Sequence, residues 1–300
     1  MRAAVLHEVG GPLAVEEVPD PEEPAVAVRA AGVNFADVLI RRGDYPQMPE
    51  LPFVPGSEVA GDLEGRRVIA FVRGSGGGYA ERVAVDPDWV VDLPERASYA
   101  EGAAFLLTTL TAWIPLTRQV RVREGSTVLV HAAAGGVGSA AVQVARHLGA
   151  RVVATAGSEE KRQVALDLGA EEAWSYEEFP EHVRADVVFD PVGGAVFAES
   201  LKVLAPLGGI VAIGYAGGLW QDVSPQFVVG RNISVHGFYL GRLTQLQPEI
   251  VREAVSEICG LWQAGGLKPL VGAEYPLEQA TEALDLLESR RSVGKVVLVP

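Results

Sequence analysis

Glycine and alanine at fixed spacing form the segment of this chain best suited to binding chemistry. After the apolar run Thr127–His131 come Ala133, Gly135 and Gly138, which match the spacing of G-x-G-x-x-G with alanine in the first place. Gly135 would let the backbone approach a pyrophosphate, and Gly138 would let a helix pack closely on the preceding strand. Because the N-terminus of such a helix favours an anion, the spacing predicts a dinucleotide-binding turn.

The elements around this turn are those that would position it. Apolar residues recur at helical spacing from Val137 to Leu148, which predicts a helix with one buried face, and Gly149 is placed to end it. A second apolar strand, Arg151–Thr155, follows. Strand, glycine turn, helix and strand in this order predict a βαβ unit.

Three blocks of different pattern divide the chain. Residues 1–106 hold short β-like runs such as Ala25–Ala30, Arg67–Phe71 and Glu81–Val85, broken by glycine and proline, which predicts a small, largely antiparallel β domain. Residues 107–240 alternate strands with helices, which predicts a doubly wound parallel sheet. Its strands are predicted at Thr127–His131, Arg151–Thr155, Asp186–Asp190, Gly209–Gly214 and Ile233–Leu240. Residues 241–300 return to mixed structure, with helices near 248–264 and 277–288 and strands near 271–275 and 295–299.

Length and composition narrow the class of protein. A chain of 300 residues exceeds what one hydrophobic core usually organises, so two domains are expected. The net charge of −14 argues against nucleic acid or an anionic membrane as a main partner. The chain has no apolar run of membrane-spanning length and starts on the β-like Met1–Leu6, so a cytoplasmic protein is expected. Cys259 is the single cysteine, which excludes an internal disulfide and a multi-cysteine zinc site.

Further motifs, taken with the glycine turn, point to a known family. They are, in chain order, Ala31–Asp37, Gly43–Pro46, Val54–Gly61, His131–Gly138, Gly157–Lys161, Asp190–Gly194, Gly237–Arg242 and Gly294–Leu298. In this order and spacing, and over nearly the whole chain, they resemble the zinc-independent quinone oxidoreductases, the zeta-crystallin-like group of the medium-chain dehydrogenase/reductase superfamily. The segments 19–26 and 61–67 are shorter than the family pattern, so the β domain is expected to be trimmed.

The resemblance implies an α/β fold in which a Rossmann-type doubly wound parallel sheet is inserted into a GroES-like, mainly β catalytic domain. Residues 1–106 and 241–300 would form the discontinuous catalytic domain, and residues 107–240 the dinucleotide-binding domain. The family implies a homodimer formed near the apolar strand Ile233–Leu240, because an unpaired sheet edge is otherwise a liability. A tetramer stays open.

Zinc is the first chemical question that the resemblance raises, because related alcohol dehydrogenases use it to polarise a carbonyl. Where they carry a cysteine ligand this chain has Asn34, and where they carry a histidine ligand it has Ser57. Asparagine and serine are poor zinc ligands, and Glu58 alone cannot hold the metal. The five histidines show no metal-ligand spacing. The residues therefore predict chemistry without zinc.

The reaction that remains feasible is hydride delivery from a reduced nicotinamide to a quinone or an α,β-unsaturated carbonyl. Conjugation in these acceptors spreads the developing charge, and the protein orients the partners and supplies hydrogen-bond donors. The resemblance makes Asn34 and Tyr45 the candidate catalytic donors. It places Phe35 and Asp37 at the cofactor, Asp37 positioning the cofactor or its neighbours rather than acting as a base. The alternatives are an exposed loop aromatic for Tyr45 and a backbone cap for Asn34.

The choice of nicotinamide cofactor follows from the end of the second strand. NAD-specific folds place an acid there for the ribose 2′-OH, whereas this chain has Gly157 and Ser158, with Lys161 one turn later. A helix cap explains part of the segment, since Ser158 is also a good N-cap residue. The absent acid and the nearby cations favour a 2′-phosphate, and the resemblance places the phosphate-binding lysine at Lys161. NADPH is the predicted cofactor.

The other cofactor contacts are implied by the resemblance alone. They are Thr111, Phe238 and Tyr239 at the nicotinamide, Gly135, Gly136 and Val137 at the pyrophosphate, Tyr176 near the adenosine half, and Gly214 and Tyr215 at the end of the fourth strand. Core packing is the alternative for Phe238 and Tyr239. Two alternatives to quinone reduction stay open: an NADPH-dependent enone or alkenal double-bond reductase, and a non-catalytic NADPH-binding protein.

Overall fold

The computed structural model describes residues 1–72, 76–218 and 222–300. The chain forms two compact units, the first comprising Met1–Leu107 and Lys268–Pro300 and the second Thr108–Leu267. The segment 241–267, which the sequence analysis grouped with the β domain, belongs to the second unit. One reason is that the Trp113 indole and the Arg118 guanidinium both bond the Glu257 carboxylate, which ties this segment to the start of the second unit.

The strands and helices are numbered separately in chain order. The strands are β1 (Arg2–Leu6), β2 (Leu13–Glu17), β3 (Ala25–Val33), β4 (Glu58–Leu63), β5 (Arg66–Phe71), β6 (Arg82–Ala84), β7 (Val90–Asp92), β8 (Thr127–Val130), β9 (Arg151–Thr155), β10 (Glu172–Trp174), β11 (Ala185–Asp190), β12 (Leu204–Ala212), β13 (Ser234–Gly237), β14 (Val271–Pro276) and β15 (Lys295–Val299). The helices are α1 (Phe35–Arg42), α2 (Tyr99–Ala103), α3 (Leu106–Ile114), α4 (Gly136–His147), α5 (Glu159–Asp167), α6 (Phe179–His182), α7 (Gly194–Val203), α8 (Pro225–Arg231), α9 (Leu240–Leu246), α10 (Pro248–Gln263) and α11 (Ala280–Glu288).

The first unit is built on a mainly antiparallel sheet, as its broken β-like runs predicted. In its described residues the strand order is β14-β15-β3-β4-β5-β7, with β6 paired to β3, and every pair except β14–β15 is antiparallel. β4 and β5 form a tight hairpin, because Glu64 and Gly65 both adopt positive φ, as a two-residue turn of type I′ requires. This turn accounts for the short segment between Gly61 and Arg67.

The second unit contains the predicted parallel sheet. Over its described residues the strand order is β10-β9-β8-β11-β12-β13, and each neighbouring pair is parallel. β8 therefore lies at the point where the strand order reverses, which is where open α/β sheets bind ligands at the carboxyl ends of their strands. The core on this sheet includes Leu129, Val188, Phe197 and Ile210.

Several elements differ from the sequence-based ones; β12, for example, spans Leu204–Ala212 rather than Gly209–Gly214. β10 was not predicted, since it is only three residues long and half-buried throughout, so it carries no apolar run. β13 ends at Gly237 rather than at Leu240, because its partner β12 ends at Ala212, opposite Gly237. Beyond that point Leu240 begins α9.

Among the described residues, none of the helices is both long and apolar enough to span a bilayer.

Candidate functional site

Asn34 lies where the chain leaves β3 of the first unit and begins α1. It is buried, and its extended backbone makes it the N-cap residue of the helix. Its N–H donates to Asp37 Oδ2 at 2.8 Å. The carboxylate three residues into the helix thus satisfies the capping residue's backbone, which fixes the start of α1 and with it the Asn34 side chain.

A buried ion pair stands beside Asn34. The Lys295 ammonium, on the first residue of β15, lies 2.6 Å from Glu58 Oε1, on the first residue of β4, and the side chains are 4% and 1% exposed. Glu58 Oε2 accepts a bond from the Leu107 N–H at 2.9 Å. A buried carboxylate is tolerated only when it is paired and hydrogen-bonded, and here both oxygens of Glu58 are engaged.

The Asn34 amide is joined to the same pair. Lys295 Nζ donates a short bond to Asn34 Oδ1. Asn34 Nδ2 donates to the Gly32 carbonyl and to Glu58 Oε1, each at 3.2 Å. Both N–H bonds of this amide therefore meet acceptors inside the first unit, so donation to a substrate oxygen would first need one of them released.

Asp37 forms the centre of a second buried group. In addition to the Asn34 N–H, its carboxylate accepts from the Tyr79 hydroxyl at 2.8 Å and from the Gly56 N–H at 3.4 Å. Burial raises the pKa of Asp37 to about 6, and these hydrogen bonds oppose the shift. Burial also raises the pKa of Tyr79 well above its usual range, which keeps its hydroxyl a donor. The carboxylate thus holds Asn34, Gly56 and Tyr79 together, and its role at the cofactor stays a prediction.

Phe35 and Tyr45 are aromatic residues of the first unit with similar surroundings. Both are half-buried and pack against the hydrophobic core of the first unit. Tyr45 follows α1, which Gly43 ends in the left-handed conformation with φ 78°. The aromatic is therefore partly packed rather than a free loop side chain.

In the second unit, the turn after β8 has the geometry that its glycines predicted. A Cβ on Gly138 would lie 2.1 Å from the Ala132 carbonyl oxygen, so only glycine allows α4 to start so close to the strand end. Gly135 is the N-cap of α4 and provides no side-chain cap. The first N–H groups of a twelve-residue helix, at Gly136 and Val137, are thus left for another acceptor.

The residues predicted near the adenosine half lie at the neighbouring strand ends. Tyr176 Oη accepts a bond from the Ala132 N–H at 3.2 Å, and a Cβ on Gly157 would lie 4.0 Å from the Tyr176 ring. Ser158 caps α5 by accepting from the Lys161 N–H at 3.3 Å, so the cap interpretation of this serine is confirmed. Lys161 is half-buried on the first turn, and burial lowers its pKa while Glu160 opposes the shift.

The remaining predicted residues of the second unit fall at three places. Thr111 is buried within α3. Gly214 and Tyr215 follow β12, where a Cβ on Gly214 would lie 3.5 Å from the Pro191 carbonyl oxygen. Phe238 and Tyr239 connect β13 to α9; Phe238 is buried and Tyr239 is exposed.

Asp190 ends β11 and organises the turn after it. Its Oδ1 accepts from the Val192 and Gly193 N–H groups at 2.7 and 3.0 Å. Among the described residues, Asp190 Oδ2 is buried without a hydrogen-bond partner. Burial raises the pKa of this carboxyl to about 6, and the two backbone bonds oppose the shift.

Within the described parts of the chain, His, Cys, Asp and Glu form no group of three that could hold a metal ion. In the first unit, the position between Asn34 and Glu58 is occupied by the Lys295 ammonium.

Comparison with known proteins settles the family. The model for the alcohol dehydrogenase GroES-like domain matches residues 20–95, and the model described as zinc-binding dehydrogenase matches residues 136–258. The mouse quinone oxidoreductase is 33% identical, with 100% of this chain and 98% of the mouse protein covered. The chain belongs to the quinone oxidoreductases of the medium-chain dehydrogenase/reductase superfamily.

Solved structures of this family agree with the fold. The quinone oxidoreductase of Thermus thermophilus, described alone and in complex with NADPH, superposes with a TM-score of 0.92 at 42% identity, covering 100% of both chains. The Escherichia coli quinone oxidoreductase, complexed with NADPH, superposes with a TM-score of 0.88 at 31% identity, covering 100% of this chain and 99% of that one. The resemblance and the fold class inferred from the motifs are therefore confirmed.

Sequence reasoning missed the partners of several site residues. Lys295 was seen only as part of a motif, and Glu58 only as an insufficient metal ligand. A usable signal existed, since each is a charged residue at the start of a mostly apolar strand and the two charges are opposite. Tyr79 and Asp190 gave no comparable signal, because their roles depend on contacts and burial.

Proposed function

We propose that this protein reduces quinones by direct hydride transfer from NADPH, without zinc. The observation that carries the proposal is the glycine turn after β8, where Gly138 brings α4 against the strand end and Gly135 leaves the helix N-terminus uncapped. Such a terminus favours the negatively charged pyrophosphate of a dinucleotide. Support comes from relatives named quinone oxidoreductases. Two of them, from Thermus thermophilus and Escherichia coli, were crystallised with NADPH.

Residues of the second unit would hold the cofactor. The pyrophosphate would meet Gly135, Gly136 and Val137, and the 2′-phosphate would meet Ser158 and Lys161. Gly157 and Tyr176 fit the adenosine half, since they lie together beside the turn. Thr111, Gly214, Tyr215, Phe238 and Tyr239 stay proposed contacts of the nicotinamide half.

Bound NADPH would supply the hydride for the reduction. Quinone reduction also needs a proton, so one quinone, one NADPH and one proton give hydroquinone and NADP⁺. In the first unit, Asn34 and Tyr45 are the proposed catalytic residues. Either could donate to the substrate oxygen, and for Asn34 one of the amide bonds to Gly32 and Glu58 would first have to be released. Phe35 stays a proposed cofactor neighbour.

Zinc independence is supported by the Lys295–Glu58 pair. The ammonium bonds both Asn34 and Glu58, so the positive charge beside these residues comes from the protein itself. Asn34 and Ser57 are poor zinc ligands besides. A zinc ion between Asn34 and Glu58 would have to displace the Lys295 ammonium. In exchange it would gain weak ligands such as Asn34 and Ser57.

The test is steady-state oxidation of NADPH against a panel of quinones and alkenals. We expect saturation with quinones and no change after treatment with a chelator. Turnover of alkenals without quinones would support the second candidate, an enone reductase, which the same residues could serve because both reactions need the same hydride geometry. NADPH binding without turnover of either class would support a non-catalytic binding protein.

We propose further that the protein is a homodimer joined along β13. This strand ends the parallel sheet and presents Val235, which is 37% exposed. Nearby elements of the same unit add Leu207, 89% exposed, and Val229, 74% exposed. An edge strand with exposed apolar neighbours is a site for pairing with a second copy. The cytoplasmic location expected from the sequence stays a prediction.

A further inference from the structure

His131 is the residue that follows β8 directly, and it is wholly buried. Its N–H donates to the Phe189 carbonyl of β11 at 3.1 Å, so its main chain still follows the sheet. The imidazole packs edge-on against the Phe179 ring, with centroids 5.0 Å apart. Burying a polar ring at this point costs free energy unless both nitrogens are hydrogen-bonded.

Both ring nitrogens have such partners. Nδ1 lies 2.7 Å from Thr155 Oγ1, on the last residue of β9, and Nε2 lies 2.7 Å from Ser200 Oγ, in α7. The single hydroxyl proton of Ser200 is donated to the Val196 carbonyl at 2.7 Å. Ser200 Oγ must therefore accept the proton of Nε2, and Nδ1 must accept the hydroxyl proton of Thr155.

This arrangement assigns one tautomer and one charge state to the ring. Nε2 carries the proton, and Nδ1 is an acceptor. Burial lowers the pKa of His131 to about 3, so the imidazole is neutral near neutral pH. With both nitrogens hydrogen-bonded, the neutral ring offers neither to a metal, but it can hold three elements in fixed relation.

Two of these elements, β8 and β9, also position the glycine turn. The Ala133 N–H donates to the Thr155 carbonyl at 3.1 Å, so Thr155 bonds the turn through its backbone and His131 through its side chain. Ala132, next to His131, has φ of 50° in the left-handed region, and its carbonyl accepts the Gly135 N–H at 2.9 Å. This is the carbonyl that a Cβ on Gly138 would strike.

We propose that His131 is a positioning residue for the dinucleotide: through Thr155 and Ser200 it fixes the backbone of Ala132, and thereby the N–H groups at the start of α4 that would meet the pyrophosphate. The proposal rests on the function proposed above. It assigns a role in cofactor affinity to a side chain that need not touch the cofactor.

The test is the dissociation constant for NADPH, measured by fluorescence titration on folded protein. Thr155→Val keeps the side-chain shape and removes the donor to Nδ1, and His131→Phe keeps an aromatic ring and removes both bonds. We expect each to weaken NADPH binding by tenfold or more. In the His131→Phe background, adding Thr155→Val should change the affinity little, since the bond is already lost. If His131→Phe does not fold, Thr155→Val alone decides.

The matched control is Ile210→Val, a loss of one methylene from the core of the same unit. It should lower stability and leave the affinity for NADPH within twofold of the unmodified protein. Thr155→Val binding NADPH as tightly as the unmodified protein, or Ile210→Val weakening it equally, would overturn the proposal. An unmodified protein that fails to bind NADPH would overturn the proposed function as well, so the two failures are distinguishable.

Discussion

At the scale of a single side chain, Lys161 is the residue we propose to select NADPH over NADH. It lies on the first turn of α5, whose cap is Ser158, in a segment that lacks the acid typical of NAD-specific folds. A charge-assisted bond to a phosphate contributes about 1.5–3 kcal/mol. The 2′-phosphate is the group that distinguishes NADPH from NADH, so this bond should act on one cofactor alone.

We therefore expect Lys161→Ala to raise the dissociation constant for NADPH by roughly tenfold to a hundredfold and to leave NADH nearly unchanged. Titration with both cofactors measures this. Lys202→Ala is the matched control, because Lys202 is an exposed lysine of the same unit paired with Glu199. Equal losses for NADPH and NADH would contradict the assignment.

Asp190 is expected to make the stability of the protein depend on pH. Its folded pKa of about 6 lies above the ordinary value of 3.8, because Oδ2 is buried without a partner among the described residues. The folded state therefore binds the proton more tightly than the unfolded state. Its contribution to stability is fully present below pH 4 and is lost as the pH rises through about 6.

Asp190→Asn should remove this pH dependence while keeping an acceptor for the Val192 and Gly193 N–H groups. At each pH, the free energy of unfolding of the unmodified protein is subtracted from that of the variant. This difference should be larger at pH 7 than at pH 4 by on the order of 2 kcal/mol. Urea unfolding of both proteins at the two pH values measures the difference. A gap that does not vary with pH would show that this carboxyl is not the group that titrates. Asp37, whose pKa is also raised to about 6, is present in both proteins and cancels.

At the scale of elements, the approach of α4 to β8 depends on the absence of one side chain. A Cβ on Gly138 would lie 2.1 Å from the carbonyl oxygen of Ala132, a backbone atom that cannot rotate away. The helix would have to shift outward, and the N–H groups at its start would move with it. Affinity for a dinucleotide and stability should therefore fall together.

For Gly138→Ala we expect a loss of about 1–3 kcal/mol in the free energy of unfolding and at least tenfold weaker NADPH binding. Gly260→Ala is the control, since Gly260 lies within α10 and a Cβ there meets nothing within 4 Å. Alanine is the better helix former, so this variant should gain up to about 1 kcal/mol. Thermal unfolding and NADPH titration of both variants test the pair, and a Gly138→Ala protein with unchanged affinity would refute the role of the turn.

Elements could be predicted from sequence where a local pattern specifies them. β8, β9 and the stripe of α4 follow from apolar periodicity, and their alternation implies the parallel sheet. β10 could not be found this way, because a half-buried strand of three residues lacks a periodic signal. The Glu58–Lys295 pair lies beyond local patterns too, since 237 positions separate its partners and only the sheet brings them together.

At the scale of the whole molecule, β13 determines the expected assembly. Val235 is exposed on this edge strand, with Leu207 and Val229 on neighbouring elements of the same unit. A buried glutamate opposite a second copy would be desolvated without a partner, which costs more than one apolar contact contributes. A charged residue at position 235 should therefore dissociate the proposed dimer without unfolding its subunits.

Val235→Glu is expected to yield a monomer in sedimentation velocity, whereas the unmodified protein is expected to sediment as a dimer. Val9→Glu is the control, because Val9 is 53% exposed in a loop of the first unit and should leave the dimer intact. Thermal unfolding of each variant shows whether the fold survives. An unmodified protein that is monomeric at micromolar concentration would contradict the proposed interface.

Because the first unit is formed from two separate parts of the chain, its sheet cannot be completed until synthesis is nearly finished. Residues of the second unit leave the ribosome as one uninterrupted stretch, whereas the sheet of the first unit lacks β14 and β15 until Lys268–Pro300 has been made. Lys295, whose ammonium pairs with the Glu58 carboxylate, is therefore synthesised 237 residues after Glu58. A nascent chain stalled before β15 would expose the edge of β3 and an uncompensated carboxylate, a state that chaperones and proteases are suited to recognise.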